Sequence, residues 1–203
     1  MIAALCGLLL VGAEPSAVSR HAVAGHYNVP RVYASDPSQA TSSNAITNAG
    51  FESGDINHGW YQCGDVAAYT TAEHPYGGRY DEYSGNASGV GEPMGNSGVC
   101  QRITIPQAGV LSARLYQLSN EGDATFAYQE ADLLDDAGNV VVNLYRSVNN
   151  APRWVLGRWN LSAYAGKTLW LYFGVHGDGY AKNATQQFVD DVLLTTPAAR
   201  GVK

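Results

Sequence analysis

The sequence predicts an all-β chain folded as an antiparallel β-sandwich, and three observations carry that prediction. Apolar residues recur with period two over short runs, Gly, Asn, Asp and Pro punctuate the intervals, and no stretch sustains a helical apolar period. Strands that follow one another without crossover helices pair antiparallel, and two sheets packed face to face bury their apolar sides.

The elements follow in order along the chain. From Val110 to Leu118, Leu111, Ala113 and Leu115 alternate with Ser112, Arg114 and Tyr116. From Thr125 to Leu134, Ala127, Gln129, Ala131 and Leu133 alternate with Phe126, Tyr128, Glu130 and Asp132. Each run therefore has one buried and one displayed side. Asp135-Asp136-Ala137-Gly138-Asn139 has turn composition, so Val140 to Tyr145 returns as the partner strand of a hairpin. Leu161 to Tyr164 is the one stretch with a helical turn. In Thr168 to Val175, Leu169, Leu171, Phe173 and Val175 alternate with Trp170, Tyr172 and Gly174, and Phe188 to Leu194 forms the closing strand.

Outside this body the sequence changes character. Ile2 to Val11 is apolar but too short to span a bilayer, which takes about 20 residues, so it reads as a signal-peptide core with no membrane span. Residues 1–13 form the expected leader, with a second cleavage option that extends it to 24. Residues 14–44 are rich in Ala, Ser and Pro and read as a flexible linker or pro-segment, residues 45–196 as the sandwich domain, and 197–203 as a tail. The expected destination is the cell exterior. Export leaves Cys63 and Cys100 as the thiols of the mature chain, and an oxidising compartment favours one disulfide between them over two free thiols.

Charge and motifs exclude several functions. Only 12 Lys and Arg stand against 18 Asp and Glu, for a net charge of -6, which disfavours nucleic acid as a partner. His58, His74 and His176 are scattered without zinc-ligand spacing, and no Gly-x-Ser-x-Gly elbow is present to complete a triad with His176 and Asp178. Gly89-Val90-Gly91 lacks the Lys-Thr of a phosphate loop.

Three groups of residues resemble a known family. Thr47-Asn48-Ala49-Gly50-Phe51-Glu52-Ser53-Gly54 with Gly59-Trp60, and Phe188-Val189-Asp190-Asp191-Val192-Leu193-Leu194, resemble the two ends of galactose-binding-like jelly rolls, among them many carbohydrate-binding modules. Tyr128 to Leu133, Leu161 to Lys167 and Tyr172 to Tyr180 are similar to the accessory jelly-roll domain appended to secreted bacterial proteases, including sedolisin-type peptidases. The resemblance implies a structural calcium that ties the opening segment to the last strand. The matching positions are Asn48, Glu52, Asp190 and Asp191, with backbone oxygens of Tyr76-Gly77-Gly78 as further donors. It also implies a binding role, with carbohydrate or an extracellular protein as partner, beside a secreted enzyme.

The displayed residues of the strands supply the candidate ligand set. Arg114, Tyr116, Tyr128, Glu130, Asp132, Trp170, Tyr172 and His176 combine rings, which stack on the C–H faces of sugars, with charged groups that engage hydroxyls. The same face could instead be a second core covered by loops, and Trp60, Trp154 and Trp159 could line an edge site. A competing expectation is a glycoside hydrolase using Glu130 and Asp132, which share a strand face at about 6–7 Å. Neighbours on one strand point the same way rather than across a cleft, so the expected role is non-catalytic.

Overall fold

The structure is a computed structural model that describes residues 27–30, 44–85, 92–180 and 182–196. The leader, most of the linker, the Gly89-Val90-Gly91 stretch and the tail lie outside the described residues.

Among the described residues ten strands make two antiparallel sheets of five. In chain order they are β1 (Tyr61–Gln62), β2 (Tyr69–Thr71), β3 (Asp81–Gly85), β4 (Met94–Thr104), β5 (Val110–Ser119), β6 (Tyr128–Leu134), β7 (Val140–Ser147), β8 (Ala151–Asn160), β9 (Thr168–Asp178) and β10 (Thr185–Thr195). The first sheet runs β1-β4-β9-β6-β7 and the second β2-β3-β10-β5-β8. A 3₁₀ turn, Ser162–Tyr164, takes the place of the expected helical turn. Among the described residues no helix is long and apolar enough to cross a membrane.

The alternation in β5 holds along its whole length: Leu111, Ala113 and Leu115 are buried while Arg114 and Tyr116 stay half-exposed. Opposite them, Val99, Ile103, Ala131, Leu133, Leu171 and Phe173 of the first sheet complete the core between the layers. Trp60 is wholly buried there, stacked on Phe51 at 5.2 Å and tilted against Phe173 at 6.4 Å. Trp159 also packs inward, against Phe173 and Tyr145, so neither tryptophan lines an edge site.

The opening segment lies alongside β10. Asn44 Oδ1 accepts from Leu194 N at 2.9 Å, Ala45 N donates to Leu194 O at 3.1 Å, and Val192 N donates to Ala49 O at 2.9 Å. The β5–β10 ladder slips between Asp190 and Leu193, and Asp191 takes φ 47°, so the strand bulges where the opening segment meets it. The two ends of the domain are thereby brought together. Cys63, just past β1, is joined to Cys100 of β4 by a disulfide with Cα atoms 5.7 Å apart.

Candidate functional site

The eight candidate ligand residues fall on two faces that point away from each other. Tyr128, Glu130 and Asp132 on β6, and Trp170, Tyr172 and His176 on β9, share the outer face of the first sheet; Arg114 and Tyr116 on β5 lie on the outer face of the second. One surface containing all eight does not exist.

The face of the first sheet is covered by the chain itself. Residues 27–30, which the sequence assigns to the linker, lie across it. Tyr27 packs at a tilt against Tyr172 with ring centroids 4.6 Å apart, and its hydroxyl meets Asp132 Oδ2 at 2.9 Å and, in a shorter contact, Glu130 Oε1. Asn28 Nδ2 donates to Asp65 Oδ1 at 3.1 Å. Tyr27, Leu134, Trp170, Tyr172 and the disulfide form a small second core, with Val29 against it. Trp170 and Tyr172 were expected to be displayed; they are 1% and 0% exposed. Tyr172 lies flat across the sheet because its neighbours are glycines, for a Cβ at Gly174 would fall 2.2 Å from the Tyr172 hydroxyl and one at Gly98 2.6 Å from it. The β6–β7 turn also approaches closely: Gly138 has φ 80°, and a Cβ there would meet Tyr27 O at 2.2 Å.

Beneath this strap the polar groups are spent on one another. Glu130 Oε2 accepts from Arg146 Nη2 at 3.1 Å, Asp132 Oδ1 accepts from Asn143 Nδ2 at 2.7 Å, and the Arg146 guanidinium lies 3.9 Å over the Tyr128 ring. Tyr128 stacks on His176 at 5.1 Å, and His176 Nδ1 is 2.7 Å from Asn96 Oδ1. Burial, followed by the neighbouring Asp132 charge, raises Glu130, and burial raises Asp132. Burial and then the Arg146 charge lower His176. Both carboxylates are 0% exposed, so the pair assigned to hydrolysis does not face water.

The second sheet presents a different outer face. Tyr69 is opposite Tyr83, Tyr83 opposite Phe188, and Phe188 opposite Tyr116, in register from β2 through β3 and β10 to β5. Trp154 of β8 meets Tyr116 edge-on at 5.7 Å. A single row of aromatic side chains thus crosses all five strands, a span of about 19 Å at the usual strand spacing. His74 stacks on Tyr116 at 4.5 Å and caps Phe188, while Tyr76 meets Trp154 at 5.9 Å with the Arg114 guanidinium 4.2 Å over its ring. Tyr69 and Tyr76 are exposed, and Tyr83, Tyr116 and Trp154 are half-exposed. Sequence reasoning picked out Arg114 and Tyr116 and missed Tyr69, Tyr76 and Tyr83, which sit among turn residues with no period to mark them.

Three of the expected calcium ligands gather at one point. A Cβ on Gly50 would lie 3.4 Å from Asp190 Oδ1, 3.7 Å from Asp191 Oδ1 and 3.7 Å from Glu52 Cγ. The Tyr76-Gly77-Gly78 loop closes over them: Tyr76 N and Gly77 N donate to Asp190 Oδ2 at 2.9 and 3.0 Å, and Arg79 N and Tyr80 N donate to Glu52. A side chain at Gly78 would collide with the Glu52 carboxylate at 2.2–2.4 Å. The fourth, Asn48, has its side-chain amide engaged with Ser53. Asp81, which the sequence did not single out, is fully buried with neither carboxylate oxygen hydrogen-bonded, and burial followed by the Asp190 charge pushes it up to about 7. Orphaned acid oxygens beside Asp190, and a glycine loop leaving room for Glu52, are features that fit a hard cation.

No family model matches this chain, and no curated protein matches it in sequence. Among solved structures it is similar to a family 61 carbohydrate-binding module determined in complex with β-1,4-galactotriose, at 19% identity over 76% of this chain and 99% of that one, with a TM-score of 0.53. The K3 cleaved adhesin domain of Lys-gingipain from Porphyromonas gingivalis matches at 17% identity over 73% and 97%, TM-score 0.49, and a family 16 carbohydrate-binding module at 16% over 75% and 99%, TM-score 0.45. At 19% identity the likeness to the family 61 module establishes the fold alone, a two-sheet antiparallel β-sandwich of the jelly-roll kind. The fold hosts many activities, so function has to be argued from the site.

Proposed function

We propose that this chain is an exported, non-catalytic module that holds carbohydrate on the outer face of its second sheet. The observation that carries the reading is the row Tyr69, Tyr83, Phe188, Tyr116 and Trp154, open to solvent at Tyr69 and half-open at Tyr83, Tyr116 and Trp154. Flat apolar rings bind the C–H faces of a sugar chain, and Arg114 and His74 beside them supply hydrogen bonds to its hydroxyls. Calcium belongs to the same proposal: Glu52, Asp81, Asp190 and Asp191 would hold it, pinning the Tyr76 loop that forms one end of the aromatic row. The similarity of Tyr128 to Leu133 and Tyr172 to Tyr180 to protease accessory domains supports a place beside a secreted enzyme.

Binding of the full chain to a panel of neutral oligosaccharides tests this. Retention of a glycan without turnover, lost at least tenfold in both Tyr116→Ala and Trp154→Ala, is the expected result. Turnover abolished by Glu130→Gln would establish a hydrolase instead. A partner protein retained through the same rings, with no glycan bound, would make the surface a protein-docking face.

A further inference from the structure

Glu92, Glu121 and Asp178 reach one point from three separate parts of the chain. Glu92 stands just before β4, Glu121 just past β5, and Asp178 is the last residue of β9. One carboxylate oxygen from each lies within 4.8 Å of the other two. Glu92 is only 5% exposed, and neither of its carboxylate oxygens makes a hydrogen bond of good geometry, although Asp178 and Thr185 lie near them. A buried acid without a well-formed hydrogen bond, facing two further acids, is an expensive arrangement unless a positive charge, a proton or a cation, completes it.

The surrounding backbone holds the three acids in place. Met94 pairs with Asp178 in the β4–β9 ladder, and Asp178 Oδ1 accepts from Tyr180 N at 2.8 Å. Gly177 lets the Glu92 segment lie against β9, since a Cβ there would meet Pro93 O at 2.1 Å and Glu92 Cγ at 2.9 Å. From the other sheet, Ser119 Oγ contacts Thr185 Oγ1 at 3.0 Å and accepts from Glu121 N at 3.1 Å, and Asn120 N donates to Ala184 O at 3.0 Å. Glu92 and Asp178 therefore come with the first sheet and Glu121 with the second.

We propose that Glu92, Glu121 and Asp178 form a second cation site, selective for calcium, that ties the two sheets together at the end of the sandwich where β10 begins. The donor set is all carboxylate oxygen, with no imidazole or thiolate, which selects a hard cation. Calcium accepts irregular, partly dehydrated oxygen shells, whereas magnesium dehydrates reluctantly and demands a near-ideal octahedron. The site shares no residue with the Glu52–Asp190 clip. Thr185 beside this site and Asp190 in the clip, midway along β10, are about 17 Å apart at the usual rise per residue.

Calcium content of the chelator-stripped full chain, measured by equilibrium dialysis against labelled calcium, decides the matter. Wild type is expected to hold one more equivalent than Glu92→Gln or Glu121→Gln, each weakening that equivalent at least tenfold, while Glu52→Gln retains it. Should the clip not bind calcium, wild type would hold one equivalent and Glu92→Gln none, which still supports this site. Both glutamines keep the shape of the acid and remove its charge, so the melting midpoint in chelator should be unchanged or higher. If Glu92→Gln does not fold, Glu121→Gln carries the test. Calcium content equal to wild type in the folded glutamine variants, or no calcium bound by wild type, overturns the proposal.

Discussion

Tyr27 and Asp132, 105 positions apart in the chain, share a 2.9 Å hydrogen bond that closes the outer face of the first sheet, and the same phenol oxygen also contacts Glu130. A phenol has one proton to offer. Two carboxylates converging on it are therefore satisfied together only if one of them carries a proton of its own.

Removing the phenol oxygen isolates its worth. Tyr27→Phe keeps the ring on Tyr172 but leaves two buried acids short of a partner, which costs about 1–3 kcal/mol. A urea midpoint lowered with an unchanged m-value is the expected reading, and a midpoint equal to wild type would mean that the strap contributes packing alone.

The shared proton also sets a pH dependence. Glu130 is raised from its ordinary range to about 7, by burial first and by Asp132 second. In that interval the folded state binds a proton that the unfolded chain has released, so the contribution is complete below the unfolded value and is lost as pH rises through the folded one. Stability should fall between about pH 4.5 and 7 by this route. Chemical denaturation of wild type and Glu130→Gln at several pH values checks it: the variant should show a shallower decline.

Gly174→Ala tests the flat placement of Tyr172. The new methyl would fall 2.2 Å from the Tyr172 hydroxyl and 2.4 Å from Ser97 O, so the ring has to leave the sheet and uncover the disulfide cluster. Overpacking of this kind costs about 1–3 kcal/mol, read as a lower melting midpoint.

Gly78→Ala probes the clip from the loop side. With φ 66° and the Glu52 carboxylate in the way, alanine is strained twice, so the Tyr76 loop should loosen, and the gain in melting midpoint expected from the proposed calcium should shrink. An undiminished calcium response would separate the loop from the metal.

Much of this architecture could be read from the residues, and the parts that could not have physical causes. β5 shows its period plainly because one side faces the core and the other faces water. β4 hides because Gly95, Ser97 and Gly98 occupy an inner strand: Gly98 makes room for Tyr172, and Ser97 Oγ bridges Gly85 N and Ala67 O. β8 carries Pro152, tolerated because the strand lies at the edge of its sheet. β6 is buried on both sides, so alternation shows which residues share a side and not that Tyr27 would cover them. Alternation likewise places Arg114 and Trp170 outward without revealing that their strands belong to opposite layers. That follows only from pairing between distant strands.

The aromatic row has a consequence for handling the protein. Its members come from positions 69, 83, 116, 154 and 188, one from each strand, so no fragment or partly melted chain can assemble the full set. On the proposed function, capture on an immobilised glycan would enrich correctly assembled molecules, and the temperature at which retention vanishes should coincide with the loss of tertiary tyrosine and tryptophan signals rather than precede it.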